Sequence, residues 1–311
     1  MSALLTILRP GLRTLVVDAG RPRSRGLGVP VGGAADRFAL AVGNGLVGNA
    51  PTESALEVAL AGPTVVADAP LACVVYGAPF EVRAGGRAIP PNTTFTLEPG
   101  EELLIGGTPL GVRAYLCVRG GFDVPIILGS RSGLAPLKVG MALACHAGRM
   151  ASRALVEPHP MIHEAAGPAT LHTLPGGQSS WFDAGALTSR TFRVGAASDR
   201  MGLRLIGEPL AVPPREMVSE PVCPGTVQVT RDGQCIVLGV EGQTIGGYPK
   251  VAQVIAADLD RLGQLRPGVE VVFREVDLDE AALRWRRRAG DLHRLLMRLD
   301  TTLDQTRRAS K

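Results

Sequence analysis

The chain repeats itself over a long period. Gly32, Ala34, Asp36, Arg37 and Leu40 recur as Gly195, Ala197, Asp199, Arg200 and Leu203 at a constant spacing of 163 residues. The same spacing relates Glu57 to Glu220 and Gly62 to Gly225. Cys73, Val75 and Gly77 match Cys235, Val237 and Gly239 at 162, and Leu97, Pro99, Gly100 and Glu102 match Leu265, Pro267, Gly268 and Glu270 at 168. Solenoid repeats run roughly 20–50 residues, so this period marks two copies of a whole domain. The expected layout is a first domain over 1–150, a linker over 151–167 rich in Pro, His and Ala, a second domain over 168–278 and a basic helical tail over 279–311.

Each copy reads as mainly β. Leu71 to Tyr76 is an apolar run closed by Pro70 and Gly77. Glu81 to Ile89 reads as a hairpin about Gly85-Gly86, and Thr93 to Ile105 reads as a second hairpin about Glu98-Pro-Gly-Glu101. Val112–Val118, Cys235–Val240 and Val269–Phe273 add strands. Short strands at this density predict a closed barrel or a sandwich. The first copy also predicts a helix, with Phe38, Val42 and Leu46 four residues apart and Asp36 in the first turn, where the helix dipole favours negative charge. The second copy alternates instead as Met201, Leu203, Leu205, which leaves helix and strand both open.

Composition excludes several classes. The net charge is +4, yet Arg284 to Lys311 alone carries nine basic and three acidic residues, so the rest is slightly acidic and no general nucleic-acid footprint exists. The five cysteines include no C-x-x-C pair, and Cys73, Cys117 and Cys235 sit in apolar runs where a thiol acts as a small hydrophobe. No run approaches a membrane span, and the expected location is cytoplasmic. Gly43-Asn-Gly-Leu-Val-Gly48 ends a helix instead of following a strand, so it fails as a dinucleotide loop. His159 and His163 have helical spacing, but Pro158 and Pro160 deny them a helix. In the tail, Leu292, Leu295, Leu296 and Leu299 form an apolar stripe fit to dock on this protein or a partner.

The second copy is longer than the first where function is expected to diverge: 25 residues separate Gly239 from Leu265, against 19 between Gly77 and Leu97. The excess surrounds Gln243-Thr-Ile-Gly-Gly-Tyr-Pro-Lys250. Gly246 and Gly247 admit close backbone approach to a ligand. Gln243, Thr244 and Tyr248 supply hydrogen-bonding groups, and Lys250 supplies a compact charge suited to a carboxylate, a phosphate or a developing oxyanion. Only three residues are lysine against thirty arginines, which makes the retained Lys250 informative. The expectation is a catalytic set of Lys250, Tyr248 and Gln243, with Lys250 reached by solvent, and a Gly-rich turn with a solvated lysine is the plain alternative. Asp36-Arg37 with Glu57, and Asp199-Arg200 with Glu220, read as ion pairs that fix loops or as acid and base groups. Arg131, between Ser130 and Ser132, reads as a carboxylate or phosphate clamp or as a surface turn.

The segment Gly28-Val-Pro-Val-Gly-Gly-Ala-Ala-Asp-Arg-Phe-Ala-Leu40 resembles the opening signature of the family of 5-oxoprolinase C-type subunits, also described as allophanate hydrolase subunit 2. Gly120-Gly-Phe-Asp-Val-Pro125, Leu128-Gly-Ser-Arg-Ser132, Ser198-Asp-Arg-Met-Gly202 and Gln243 to Lys250 agree with it in order. The family is similar to part of the biotin-dependent carboxyltransferase domain of urea carboxylase. The resemblance implies two tandem cyclophilin-like β-barrels. It also implies ATP-dependent opening of 5-oxoproline to glutamate, with ATP shared with a partner of the 5-oxoprolinase B type and often a third chain of the A type. It strengthens the binding roles of Arg131, Ser132, Thr244, Gly246 and Gly247. Glu241, Gly242, Ile245 and Val31-Gly32 depart from the family pattern, which leaves the substrate open. A carboxyltransferase-like chain acting on urea or a related amide, and a non-catalytic regulatory binding protein, remain alternatives. No Met-Lys-Met site exists, so no biotin is expected on this chain.

Overall fold

The structure, a computed structural model, describes residues 2–133, 135–157, 159–162 and 167–309, with side chains excluded over 302–309. His163, Pro158 and Lys311 lie outside the described residues. The chain forms two compact units that do not follow sequence order. The first unit comprises Met1–Gly20, Asp36–Ile162 and Asp291–Lys311, and the second comprises Arg21–Ala35 and His163–Gly290. Among the described residues, no helix is long and apolar enough to cross a membrane.

The first unit holds β1 (Ser2–Arg9), β2 (Arg13–Val17), α1 (Arg37–Val47), β3 (Ala55–Ala59), β4 (Thr64–Ala67), β5 (Leu71–Gly77), β6 (Val82–Ala84), β7 (Arg87–Ile89), β8 (Phe95–Leu97), β9 (Glu102–Ile105), β10 (Arg113–Val118), β11 (Phe122–Asp123) and β12 (Ala142–His146). They form two sheets, β11-β12-β1-β4-β9-β6-β7 and β2-β3-β10-β5-β8. One core joins them, with Leu5, Val65 and Leu103 from the first sheet and Leu56, Cys73 and Leu116 from the second. The hairpin about Gly85-Gly86 forms as expected. The expected hairpin over 93–105 does not: β8 pairs with β5, while β9 pairs with β4 and β6 in the other sheet. Leu97 and Leu103 are both sealed in the shared core, which the turn between them reaches by crossing from one sheet to the other.

Helix α1 explains why β5 and β10 are apolar on both faces. Cys73 and Val75 point into the core, and Gly43 of the helix meets Tyr76 and Cys117 on the opposite face. A methyl on Gly43 would lie 2.8 Å from the Cys117 sulfur, so the close approach requires glycine. The Asp36 carboxylate caps the helix by accepting from the Ala39 N–H at 2.9 Å, and Gly48 ends it at φ 78°. The segment expected as a linker from 151 packs within this unit as far as Ile162. Thr94 and Thr96 exchange hydrogen bonds with the 150–153 backbone, and His159 is buried.

The second unit contains β13 (Ala169–Pro175), β14 (Thr191–Val194), β15 (Gly202–Ile206), β16 (Glu220–Pro221), β17 (Thr226–Val229), β18 (Cys235–Leu238), β19 (Ile245–Gly246), β20 (Lys250–Val254), α2 (Leu259–Leu262) and β21 (Glu270–Glu275). Seven strands close a barrel in the order β13-β20-β17-β18-β15-β14-β21. Alternate residues fill it, among them Leu171, Phe192, Val194, Leu203, Leu205, Val227, Val229, Val271 and Phe273. Residues 202–206, undecided from sequence, are strand because Leu203 and Leu205 follow this period of two. Only this unit closes a barrel among the described residues; the expected pair of barrels is met in the first unit by two sheets. Cys73, Cys117 and Cys235 are buried free thiols, and burial pushes Cys235 up to about 12.

The C-terminal helix α3 (Leu278–Ala309) carries the anticipated leucine stripe. Within the first unit, Leu296 and Leu299 close over Gly45 of α1, and Leu295 and Leu299 are buried. A Cβ on Gly45 would lie 2.9 Å from Leu296 Cδ2 and 3.3 Å from Leu299 Cδ1. Gly45→Leu is therefore expected to cost about 1–3 kcal/mol by overpacking. Thermal unfolding should show the loss, and hydrogen exchange should rise over residues 291–301. Unchanged protection there would show that α3 does not depend on this contact.

A carboxylate clamp orders the end of β2. Asp18 accepts from the hydroxyls of Ser130 (2.5 Å) and Ser132 (2.6 Å) and from the backbone N–H of Arg131 (2.6 Å) and Gly20 (2.8 Å). Burial raises its pKa, but these donors together outweigh burial and hold the carboxyl below its usual range. The contribution to stability is thus full above the ordinary aspartate pKa and lost as pH falls through the lower folded value. Asp18→Asn should destabilise by about 2 kcal/mol at neutral pH, the scale of hydrogen bonds to a charged group. The gap between variant and parent in chemical unfolding should narrow below about pH 4. A gap that does not narrow would mean the clamp does not depend on ionisation.

Candidate functional site

A β-bulge in the barrel wall places Lys250. Strand β20 would put Lys250 on the interior with Ala252 and Val254 if its period of two held. Instead the register with β17 shifts: Val227 faces Ala252, and Gln228 faces Lys250, so Val251 is the extra residue. Both Val251 and Ala252 join the barrel core. The bulge turns Lys250 to the side of Gln228, which lies between the inward-facing Val227 and Val229.

Three neighbours define the lysine. Its Nζ lies 2.7 Å from Glu220 Oε2. The two-stranded β16–β19 pairing brings Glu220 opposite Gly246, which fixes the carboxylate beside the Gln243–Lys250 segment. Gln178 bonds both ends of the arrangement: it exchanges two hydrogen bonds with the Lys250 backbone, at 3.0 and 3.1 Å, and its amide donates to Glu220 at 3.4 Å. The thioether of Met217 is 4.0 Å from the ammonium. Lys250 is 8% exposed, which corrects the expectation of a solvent-reached turn lysine. The Glu220 side chain stays 47% exposed, and the hydrogen bond from Lys250 lowers its carboxyl below the ordinary glutamate value.

Beside this pair lies a cavity of about 710 Å³, lined among others by Met217, Gln243, Gly247, Tyr248, Arg215 and Arg231. Gln243 Nε2 donates to Gln228 Oε1 at 3.3 Å. Gly246 lets both glutamine amides approach the backbone, since a Cβ would lie 2.4 Å from Gln228 Nε2 and 2.8 Å from Gln243 Nε2 and would displace them. A Cβ on Gly247 would meet the Ser219 hydroxyl at 3.2 Å. Thr244 is buried, and its carbonyl accepts from the Val222 N–H at 2.9 Å, so it supports the segment from behind. The structure thus gathers Lys250, Gln243, Thr244, Gly246, Gly247, Tyr248 and Glu220 in one place.

The duplicated acidic pairs have diverged. Asp199 is an exposed turn residue accepting from Met201 and Gly202, whereas Asp36 is a fully buried helix cap 2.9 Å from His159 Nε2. Arg200 pairs with Glu241 at 2.6 Å and donates to the Gly33 carbonyl at 2.6 Å, which fixes that loop. Glu57 is sealed against Arg113 (3.2 Å) and accepts from the Tyr115 hydroxyl (2.8 Å). Burial first, then the charges of Glu57 and Asp36, raises Tyr115 well above its ordinary value. Arg37 is exposed at the start of α1. Arg131 and Ser132 belong to the first unit, where Ser132 serves the Asp18 clamp and Arg131 Nη1 stands 4.0 Å from Glu53.

Sequence reasoning missed Gln178, Gln228, Met217 and Arg215. Gln178 had a signal: it follows Gly176-Gly177, a second Gly-Gly step, and a Cβ on Gly176 would lie 2.2 Å from the Lys250 carbonyl oxygen. Met217 and Arg215 sit in a loop with no pattern of its own.

Known proteins are similar to this chain in sequence and in fold. Residues 27–275 match the model for the carboxyltransferase domain, subdomain A and B. The chain is 34% identical to the C-type subunit of 5-oxoprolinase from Escherichia coli (strain K12), over 89% of this chain and 93% of that protein. It is 28% identical to urea amidolyase of Lachancea kluyveri, over 86% of this chain but 16% of that protein. Among solved structures, TTHA0988 superposes with a TM-score of 0.80 at 37% identity, covering 88% of this chain and 56% of that one. The K. lactis urea amidolyase gives a TM-score of 0.84 at 25% identity, covering 94% and 20%. This chain therefore spans nearly the full length of its 5-oxoprolinase relative, about half of TTHA0988 and a small part of the amidolyases, and it belongs to the carboxyltransferase domain (subdomain A and B) family that includes the C-type 5-oxoprolinase subunits.

Proposed function

We propose that this chain is the C-type subunit of an ATP-dependent 5-oxoprolinase, which opens the lactam of 5-oxoproline to glutamate with a B-type partner and, in a larger assembly, an A-type one. One observation carries the reading: a buried ammonium, paired with a half-exposed carboxylate, stands beside a cavity walled by an amide and a phenol. A lactam is a poor electrophile, and its carbonyl oxygen gains charge as water adds to the carbonyl carbon, before the C–N bond breaks and the ring opens. In the proposed arrangement the Lys250 ammonium and the Gln243 amide stabilise that charge. The Tyr248 hydroxyl supplies a proton to the departing nitrogen, and Glu220 holds Lys250 in place until substrate arrives. The name of the 5-oxoprolinase relative supports the substrate; the urea amidolyase likeness makes urea the comparison to run beside it.

ATP is proposed to be shared with the partner subunits. The sequence has no phosphate-cradling G-x-x-x-x-G-K-[ST] loop. No covalent biotin is proposed on this chain, which has no Met-Lys-Met site. In the same reading, the first unit's two sheets are a diverged counterpart of the second unit's barrel, and the two units descend from tandem cyclophilin-like domains.

The test is glutamate release from 5-oxoproline and ATP by the chain alone and co-purified with its B-type partner. Turnover is expected only in the complex; full turnover by the single chain, or ATP-dependent turnover of urea in place of 5-oxoproline, would overturn the assignment. In the active complex, Lys250→Met should lower the catalytic rate about a hundredfold, close to 3 kcal/mol of transition-state stabilisation. Lys250→Arg should also be poor, because a planar fork does not replace a compact ammonium. Thermal stability should change little in Lys250→Met: methionine packs beside Met217, and the Glu220 it leaves behind is open to water. Near-normal rates with both substitutions would remove Lys250 from the chemistry.

A further inference from the structure

We infer that Arg215, stacked on Trp181, is the residue that selects a carboxylate-bearing ligand in the cavity beside Lys250, with Arg231 as a second cation on the same wall. The inference rests on the proposed function only for where the reaction occurs; the claim about Arg215 concerns ligand charge and stands or falls separately.

The Arg215 guanidinium lies over the Trp181 ring, 5.4 Å from its centroid. Stacking satisfies the flat face of a guanidinium and leaves its N–H groups directed outward in the plane, where they fit the two oxygens of a carboxylate. The stack also restrains a side chain that would otherwise wander, since Arg215 sits on an exposed loop. No ion pair with an acidic side chain is formed by Arg215 or Arg231 among the described residues. Glu216 is the one acidic residue on the same cavity wall.

Trp181 and Gln178 belong to the same short turn, the 3-10 segment Ser179–Trp181 with Gln178 at its start. Gln178 holds the Lys250 backbone and the Glu220 carboxylate, while Trp181 holds Arg215. One turn therefore sets both the ammonium beside the cavity and the guanidinium on its wall. Proline and apolar groups complete that wall, with Val212, Pro213, Pro214, Val229 and Pro249 offering no other group that prefers an anion. The ligand this fits is small, carries one carboxylate and presents a carbonyl or amide at the other end of a short apolar body. A neutral analogue fills the same space and leaves the guanidinium without its partner.

The experiment is direct binding by ligand-observed NMR to the chain co-purified with its B-type partner, comparing 5-oxoproline with its primary carboxamide, and succinate and glutamate with their amides. Wild-type protein is expected to favour at least one of these acids over its amide by about tenfold or more. Arg215→Gln should abolish that preference by weakening the acid while leaving the amide unchanged. Arg215→Lys should restore part of it, and Trp181→Leu should weaken the acid as well. Binding of succinate or glutamate with Arg215 dependence, but not of 5-oxoproline, would uphold the inference and sink the 5-oxoprolinase reading. Equal binding of acids and amides by wild type, equal loss of both in Arg215→Gln, or binding of no acid at all would overturn the inference.

Discussion

The candidate site depends on one extra residue in one strand. In a barrel wall the choice of face is binary, and every second residue of β20 belongs to the core. The bulge at Val251 breaks that parity and lets both Val251 and Ala252 serve the core. Lys250 then emerges on the face of Gln228, where a carboxylate and two glutamines already stand. Without the bulge the lysine would have to bury its ammonium among Leu171, Val227 and Val254, which no pairing within that apolar core could offset. The barrel and the site are thus two consequences of the same register shift.

The duplicated residues show how one sequence pattern serves two physical ends. Asp36 and Asp199 each accept hydrogen bonds from backbone N–H groups a few residues downstream, which is the local habit of aspartate. The residues after each aspartate decide the outcome. Phe38, Val42 and Leu46 recur with helical spacing, so the first aspartate caps a helix that packs on β5 and β10. Leu203 and Leu205 alternate, so the second aspartate closes a turn into a strand. The arginines diverge likewise: Arg200 became a buried staple to Glu241 and Gly33, while Arg37 stayed at the surface.

Much of this was legible in the chain itself. Continuous apolar runs marked β5 and β10, a Gly-Gly step marked the hairpin at 85–86, and the leucine stripe marked α3. The lengthened second copy pointed to residues 243–250, which the structure gathers beside a cavity. Environment was less legible. Lys250 looked solvated because nothing local reveals a bulge, and its partners come from positions 178 and 220, brought close only by barrel closure. The turn at 98–101 looked like a hairpin because hairpins and crossings between sheets use the same turn residues. The Ser130-Arg-Ser132 run gave no hint that its hydroxyls serve Asp18, which is more than a hundred residues away in sequence.

Two ion pairs in this chain differ in how freely their charges can change partners. Arg113 and Glu57 are both sealed, with side chains 10% and 2% exposed. Tyr115 fills the remaining valence of the carboxylate, so neither charge can leave without stranding the other in a medium that cannot solvate it. Lys250 and Glu220 are closer, at 2.7 Å against 3.2 Å, yet the lysine is 10% and the glutamate 47% exposed. Water can take over the carboxylate if the ammonium turns to another anion, so exchanging partners costs little. The lysine meanwhile stays desolvated, which strengthens its interaction with any charge that develops beside it. A pair open on its acidic side and closed on its basic side is what the proposed role of Lys250 rests on, and in the second unit it stands next to the cavity.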